Sequence, residues 1–201
     1  MSATNQRNHV IQIAVSDPGR ALPQAEDIAD DWFATQALAA VLRYSPENLI
    51  SVVCRKALRR ASLCSDAYRR GSVLAWVIRA LAERGLHSQA KDVLHMALQE
   101  ARQSCPVGSR AEALFLLYQA AHPLGGRIVD RLFRELAALP QSDPHWRVSR
   151  ALVRAGAMHS VIAPDTLQSI IQLIGDPKLT ARIERCIGLG LTEPRPFFWQ
   201  Q

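Results

Sequence analysis

The stretch RALAERGLHSQAKDVLHMALQEA, residues 79–101, decides the fold that the sequence predicts. Apolar residues at helical spacing lie on both sides of Gly85, and glycine often ends a helix because it tolerates a left-handed backbone. Ala90 and Ala97 are small residues at positions where two helices would touch. The stretch therefore predicts a helical hairpin, with helices over about residues 68–84 and 88–103.

The same spacing recurs along the chain at a nearly constant step. The pattern of Ala90, Leu94 and Ala97, at i, i+4 and i+7, also begins at Cys54, Val129 and Leu167, with steps of 36, 39 and 38 residues. Stacked hairpins need such a repeat because each presents an equivalent face to its neighbours. Together with a composition of 48% apolar and only 6% aromatic residues, the pattern predicts an all-α protein.

Turn residues predict further helix boundaries. One or two helices are expected between Pro23 and Tyr44, and a helix to Leu63 begins with Ser45 as its N-cap and Pro46 in the first position. The remaining helices are expected over about 109–122, 126–139, 144–157, 164–174 and 178–189. Asp143-Pro144 and Asp176-Pro177 resemble helix starts, whereas Gly85, Gly156 and Gly175 resemble helix ends.

Three segments follow from this pattern. Residues 1–16 are expected to be a flexible N-terminal segment, residues 17–191 a single α-helical repeat domain, and residues 192–201 an extended aromatic tail. Pro194 and Pro196 prevent a helix in the tail. Its aromatic residues Phe197, Phe198 and Trp199 are expected to fold back over the last hairpin, near Ile183 and Ile187, or to dock on another copy of the chain.

Residues 71–102 resemble the tetratricopeptide-like helical repeats. That family has a consensus pattern of large residues, a glycine in the turn and small residues in the second helix. The residues here that match it are Leu74, Val77, Leu81, Gly85, Ala90, Leu94, Ala97 and Leu98. Ile78 departs from it by standing where the family has a small residue, so a HEAT-like repeat stays open. The resemblance implies a right-handed α-solenoid of about four to five hairpins, and the alternative is an irregular helical bundle.

No motif in the sequence predicts chemistry. The cysteines form no CxxC pair, and the sequence has no HExxH metal motif, GxSxG elbow or glycine-rich phosphate loop. We therefore expect no catalytic residue, metal site or cofactor.

The first residues lack a secretory signal, and no apolar run reaches the roughly 20 residues of a membrane span. A cytoplasmic protein with reduced thiols and no membrane partner is expected.

The net charge of +6 is concentrated in one short segment. Its cations lie on one face of a helix and at the start of the next, and they are Arg55, Lys56, Arg59, Arg60, Arg69 and Arg70. Such a face attracts phosphates by releasing counterions, so it is the candidate surface for binding nucleic acid. The alternative is that these side chains form only a solvated outer face.

A second basic feature depends on the repeat. Similar places late in the first helices of successive units hold Arg43, Arg79, Gln119 and Arg150, and Arg185 extends the row. The resemblance implies that these helices line a concave groove, where guanidinium groups bind carboxylates well. The alternative is that the arginines pair with nearby acids such as Glu83.

The leading hypothesis is a non-enzymatic protein–protein interaction module that binds an acidic partner segment, and the second is a nucleic-acid-binding repeat protein.

Overall fold

The computed structural model describes residues 1–139 and 146–198, and all regular structure in this part of the chain is helical, which confirms the all-α prediction. The helices are α1 (Ala3–Ser16), α2 (Pro18–Glu26), α3 (Asp31–Tyr44), α4 (Glu47–Ser62), α5 (Ala67–Glu83), α6 (His87–Gln103), α7 (Val107–Ala120), α8 (Gly126–Ala137), α9 (Trp146–Ile162), α10 (Pro164–Ile174) and α11 (Pro177–Gly188), with a short 3-10 helix at His122–Leu124. Within the described ranges no helix is both long and apolar enough to cross a bilayer.

The odd-numbered helices form one layer of the structure. Each of α1, α3, α5, α7 and α9 packs against the next odd-numbered helix, so the layer runs from α1 to α11 in chain order. The even-numbered helices α2, α4, α6 and α8 each pack against the odd helices before and after them, and α10 packs on α9. Helices that are neighbours in space are therefore also close along the chain.

The hairpin of residues 79–101 forms as predicted. Helix α5 ends at Glu83, and Gly85 follows with a φ of +75°, a conformation that glycine adopts without strain. Ala90 and Ala97 are fully buried, as the close contact of two helices requires. At the other end of the hairpin, a Cβ atom on Gly71 would lie only 3.0 Å from the carbonyl oxygen of Ala97. The backbones of α5 and α6 thus approach closely at Gly71.

The predicted boundaries near the C-terminus are partly confirmed. Gly175 ends α10 in a left-handed conformation, and Asp176 caps α11 by accepting a hydrogen bond from the Lys178 backbone N–H. Gly156 does not end a helix but lies inside α9, where its missing side chain leaves room for Ile183 of α11. The predicted start at Asp143-Pro144 lies outside the described residues.

The prediction of Ser45 as an N-cap is wrong. Ser45 is buried and its hydroxyl donates to the carbonyl oxygen of Val41, so this side chain closes α3 rather than opening α4. Pro46 precedes the first residue of α4, which has no side-chain cap. The connection between α3 and α4 is short, and its serine side chain hydrogen-bonds to the end of α3 and not to the start of α4.

The first residues are ordered, in contrast to the flexible segment expected over 1–16. Helix α1 buries Val10, Ile11 and Ala14, and it packs against α2 and α3. Most helical stability in proteins comes from such packing, so a weakly amphipathic sequence is enough once a neighbour covers it. The following region forms two helices, and α3 begins where the Asp30 carboxylate accepts from the backbone N–H groups of Trp32 and Phe33.

Candidate binding groove

A groove with a cavity of about 700 Å³ lies on the layer of odd-numbered helices. Side chains from α1, α3, α5, α7 and α9 line it, together with residues 195–197 of the tail. Five successive helices of the row thus share one concavity. Its volume is in the range of pockets that bind small molecules or peptide side chains.

One side of the groove is an aromatic wall, formed by Trp32, Tyr68 and Trp76. The ring of Trp32 stacks on Tyr68 at 6.3 Å between centroids and meets Trp76 edge to face at 5.9 Å. Trp32 and Tyr68 lie in the first turns of α3 and α5, and Trp76 lies two helical turns after Tyr68 on the same face. Burial, reinforced by the negative charge of Glu112, raises the pKa of the Tyr68 phenol.

The C-terminal tail lies on this aromatic wall. Phe197 meets Trp76 edge to face at 5.2 Å, and the Arg43 guanidinium lies 5.1 Å from the centroid of Phe198. The Arg195 guanidinium lies 5.6 Å from the centroid of Trp76, and both phenylalanines are buried. Such edge-to-face and cation–π contacts add to the area that the rings bury.

The tail thus folds back, but the prediction that it covers the last hairpin is wrong. Ile183 is already buried against Gly156, and Ile187 stays partly exposed to solvent. The extended chain instead crosses to α3 and α5, where the tryptophan rings offer larger apolar surfaces. The third aromatic residue of the tail, Trp199, lies outside the described residues.

The groove also has a strongly cationic lining. Four arginines, Arg7, Arg150, Arg154 and Arg195, line it with a single glutamate, Glu112. Arg7 Nη1 donates to the buried Gln36 Oε1 at 2.6 Å, and burial lowers the pKa of Arg7. Arg150 Nη2 donates to Glu112 Oε1 at 2.5 Å. One carboxylate cannot balance four guanidinium groups, so this lining favours anionic ligands.

Two polar atoms of the groove have no hydrogen-bond partner within the described chain. Gln119 is 2% exposed and its Oε1 atom is unpaired, and the Nε atom of Arg154 is likewise buried and unpaired. A buried polar atom without a partner costs roughly 1–3 kcal/mol. Gln119 Oε1 is therefore an acceptor, and Arg154 Nε a donor, whose hydrogen-bonding capacity the described residues leave unused.

The structure separates the predicted row of donors. Gln119 and Arg150 line the groove, although Arg150 also pairs with Glu112, as the alternative interpretation predicts. Arg43 Nε and Arg79 Nε instead share the carboxylate of Glu83, each at 2.5 Å, as the alternative interpretation predicts. Arg43 nevertheless contacts the tail through Phe198. Arg185 is exposed on α11 and is not among the residues that line the groove.

Four of the six cations in the basic segment make contacts within the protein. Lys56 pairs with Glu26, and Arg60 binds the Asp31 carboxylate at 2.7 Å and also the backbone carbonyl of Glu26. The Arg70 Nε atom lies 3.0 Å from a Glu100 carboxylate oxygen, whereas Arg69 stacks over the ring of Trp32. Arg55 and Arg59 are exposed. These acids lie 29 or more residues away from their partners, so helical spacing alone did not reveal the pairs.

Sequence reasoning missed a buried polar chain that joins α7, α8 and α9. The Tyr118 hydroxyl donates to the carbonyl oxygen of Ala155 at 3.3 Å and lies 3.3 Å from His159 Nδ1. His159 Nε2 lies 3.3 Å from an Asp130 carboxylate oxygen. Burial raises the pKa of Tyr118 and lowers that of His159. Both rings are fully buried and neither lines the groove, so these groups hold the helices together instead of contacting a ligand.

No three His, Cys, Asp or Glu side chains come together as a metal site in residues 1–139 and 146–198. Comparisons with protein-family models, with curated proteins and with solved structures gave no match. The function is therefore inferred from the geometry and charge of the groove.

Proposed function

We propose that this protein is a non-enzymatic protein–protein interaction module that binds an extended segment of a partner protein in the groove. In this proposal the helices form an α-solenoid of tetratricopeptide-like or HEAT-like hairpins, with the odd helices on the binding face. The observation that carries the proposal is that an extended stretch of the chain itself already lies in the groove, against Trp76. A surface that accommodates one extended segment has the shape needed for another.

The lining of the groove favours a partner segment with acidic and aromatic residues. Arginine binds carboxylates through paired, charge-assisted hydrogen bonds, and the groove has four arginines for one glutamate. The aromatic wall offers flat apolar surfaces for phenylalanine or tyrosine side chains. The unpaired Oε1 atom of Gln119 is an acceptor and the unpaired Nε atom of Arg154 is a donor, and a peptide backbone offers partners for both.

The test measures binding of two labelled ten-residue peptides by fluorescence anisotropy. Both have two phenylalanines, and one has four aspartates where the other has four lysines. We expect the acidic peptide to bind more tightly, and the variant Arg154→Ala to weaken it about tenfold or more, since a hydrogen bond to a charged group contributes roughly 1.5–3 kcal/mol.

The control is Arg185→Ala, which removes an exposed arginine outside the groove and should leave the affinity unchanged. Equal binding of the acidic and basic peptides would contradict the proposal. An equal loss in the Arg154→Ala and Arg185→Ala variants would show that net charge, not the groove, attracts the peptide.

The cysteines support a cytoplasmic location for this module. Cys54, Cys64, Cys105 and Cys186 are all free thiols. Burial raises the pKa of Cys64 to about 11, which keeps its side chain in the unreactive thiol form. Free thiols are typical of proteins from reducing compartments.

Nucleic-acid binding through residues 55–70 is the second candidate function. The exposed side chains of Arg55 and Arg59 favour it, whereas the ion pairs of Lys56, Arg60 and Arg70 weaken it. If this function is real, duplex DNA should bind with a strong salt dependence, and the double variant Arg55→Glu/Arg59→Glu should abolish binding. Binding of the acidic peptide should be unaffected by that variant.

A further inference from the structure

We propose that residues 195–198 of the tail are an internal ligand of the aromatic wall, and that the wall recognises partner segments with the same pattern, a proline followed by two aromatic residues. Such a partner binds by displacing the tail. The inference rests on the proposed function and adds to it the kind of segment that the groove recognises and the competitor that it must displace.

The contacts of the tail have the character of a bound peptide. Phe197 meets Trp76 edge to face, Phe198 lies under the Arg43 guanidinium, and Arg195 lies over Trp76. All three contacts are made by side chains that follow Pro194 or Pro196. Each proline fixes its own φ and restricts the residue before it to an extended conformation, so little conformational entropy is lost when such a segment binds.

The tail is held in a way that permits exchange. The last backbone hydrogen bond of this region joins the Leu191 N–H to the Cys186 carbonyl, and in the described part of the chain none ties residues 192–198 to the helices. A helix that left its neighbours would expose a whole apolar face to water, whereas the tail leaves by separating a few rings. The helices therefore stay intact when the aromatic wall is uncovered.

The groove also has space for a segment longer than the tail. Pro196 and Phe197 line the same cavity as Gln119 and Arg154. A partner whose aromatic pair replaces Phe197 and Phe198 thus has further residues within reach of the cationic lining. Acidic residues beside the aromatic pair would add charge-assisted bonds that the tail lacks, which gives the partner its advantage over the tethered competitor.

Competition by a tethered segment has a measurable consequence. A tail joined to the domain by a few residues has a high effective concentration at its own site. If the wall is uncovered in at most about a tenth of the molecules, the apparent affinity for a peptide added in solution falls at least about tenfold. Removing the two phenylalanines from the tail should restore that affinity.

The experiment uses a labelled peptide with the sequence TEPRPFF, that of residues 192–198. Its binding is measured by fluorescence anisotropy to the full chain and to the full chain with Phe197→Ala/Phe198→Ala. We expect the double variant to bind the peptide at least tenfold more tightly than the unmodified protein. The control peptide TEPRPAA, which lacks both aromatic rings, should bind neither protein.

Circular dichroism establishes that the variants are folded. If the double variant is unfolded, it is replaced by Phe198→Ala, which keeps the ring of Phe197 that contacts Trp76. This variant should bind the peptide severalfold more tightly than the unmodified protein. Equal affinity of the folded variant and the unmodified protein would overturn the proposal. So would a folded variant that binds the acidic peptide but not TEPRPFF, and that result would leave the proposed function intact.

Discussion

The close approach of α5 and α6 predicts opposite effects for the same substitution at different glycines. In most helices Gly→Ala stabilises by up to about 1 kcal/mol. At Gly71, however, the new Cβ atom would lie 3.0 Å from the carbonyl oxygen of Ala97 and from the backbone N of Ala101. Backbone atoms of a packed helix cannot rotate away, so the two helices would have to separate.

Overpacking of this kind costs typically 1–3 kcal/mol, and the gain in helix propensity offsets part of it. We expect Gly71→Ala to destabilise by about 1–2 kcal/mol and to lower Tm by roughly 3–6 °C in a chain of this length. Thermal and urea unfolding followed by circular dichroism measures both quantities.

Two further glycines serve as matched comparisons. At Gly156 the new atom meets the flexible tip of Ile183, at 3.0 Å, so Gly156→Ala should cost less than Gly71→Ala. At Gly188, the last residue of α11, nothing lies within 4 Å of the new atom, and Gly188→Ala should stabilise by about 0.5 kcal/mol. The packing of α5 on α6 would be refuted by a Gly71→Ala protein at least as stable as the unmodified chain.

Three other predictions concern the core. Ala90→Leu should destabilise by about 1–3 kcal/mol in urea unfolding, because Ala90 is fully buried; an unchanged midpoint would contradict the hairpin register. Tyr118→Phe should cost about 1 kcal/mol by losing the bond to the Ala155 carbonyl, and a neutral result would show that this long hydrogen bond contributes little. Burial, with help from the Arg79 charge, lowers the pKa of His122 to about 4, so the unfolded state takes up a proton more readily. Above pH 6.5 His122 should not lower the free energy of unfolding, whereas by pH 5 it should lower that free energy by up to about 2 kcal/mol. In the variant His122→Gln the free energy of unfolding, measured at several pH values, should depend less steeply on pH.

Local patterns were sufficient to predict where most helices begin and end. Gly85 and Gly175 end helices because they take a left-handed backbone, and Asp176 opens one by accepting a backbone N–H. Each of these effects involves residues within about one helical turn. The small residues Ala90 and Ala97 also marked a helix contact correctly, since the spacing of a hairpin is nearly local.

Patterns of the same kind failed where the neighbour in space decides the outcome. Gly156 lies within α9, where the side chain of Ile183 packs against it and occupies the place of a Cβ atom. Helix α1 is ordered because α3 packs against its apolar face. Ser45 resembled a cap for the helix after it, yet its hydroxyl found an acceptor in the helix before it. Propensity is a weak guide in such cases because tertiary contacts contribute more free energy than local preferences.

The composition of the groove was only partly accessible from the sequence. Gln119 and Arg150 were predicted as groove residues from their place in the repeat, and both line it. Arg43 and Arg79 had the same signal, but Glu83 binds both of them. The spacing of residues along a helix predicts which face of that helix a side chain occupies. It carries no information on which acid of another turn or helix comes within reach.

By itself, the sequence determined that the chain is helical and where most of its helices begin and end, because those properties follow from residue types within a few positions of one another. Only the tertiary structure decided that Arg60 binds Asp31, that Tyr118 meets His159, and that Phe197 lies on Trp76. These partners are separated by 29, 41 and 121 residues. Contacts at such separations form only when the packing of all the intervening helices brings the two side chains together.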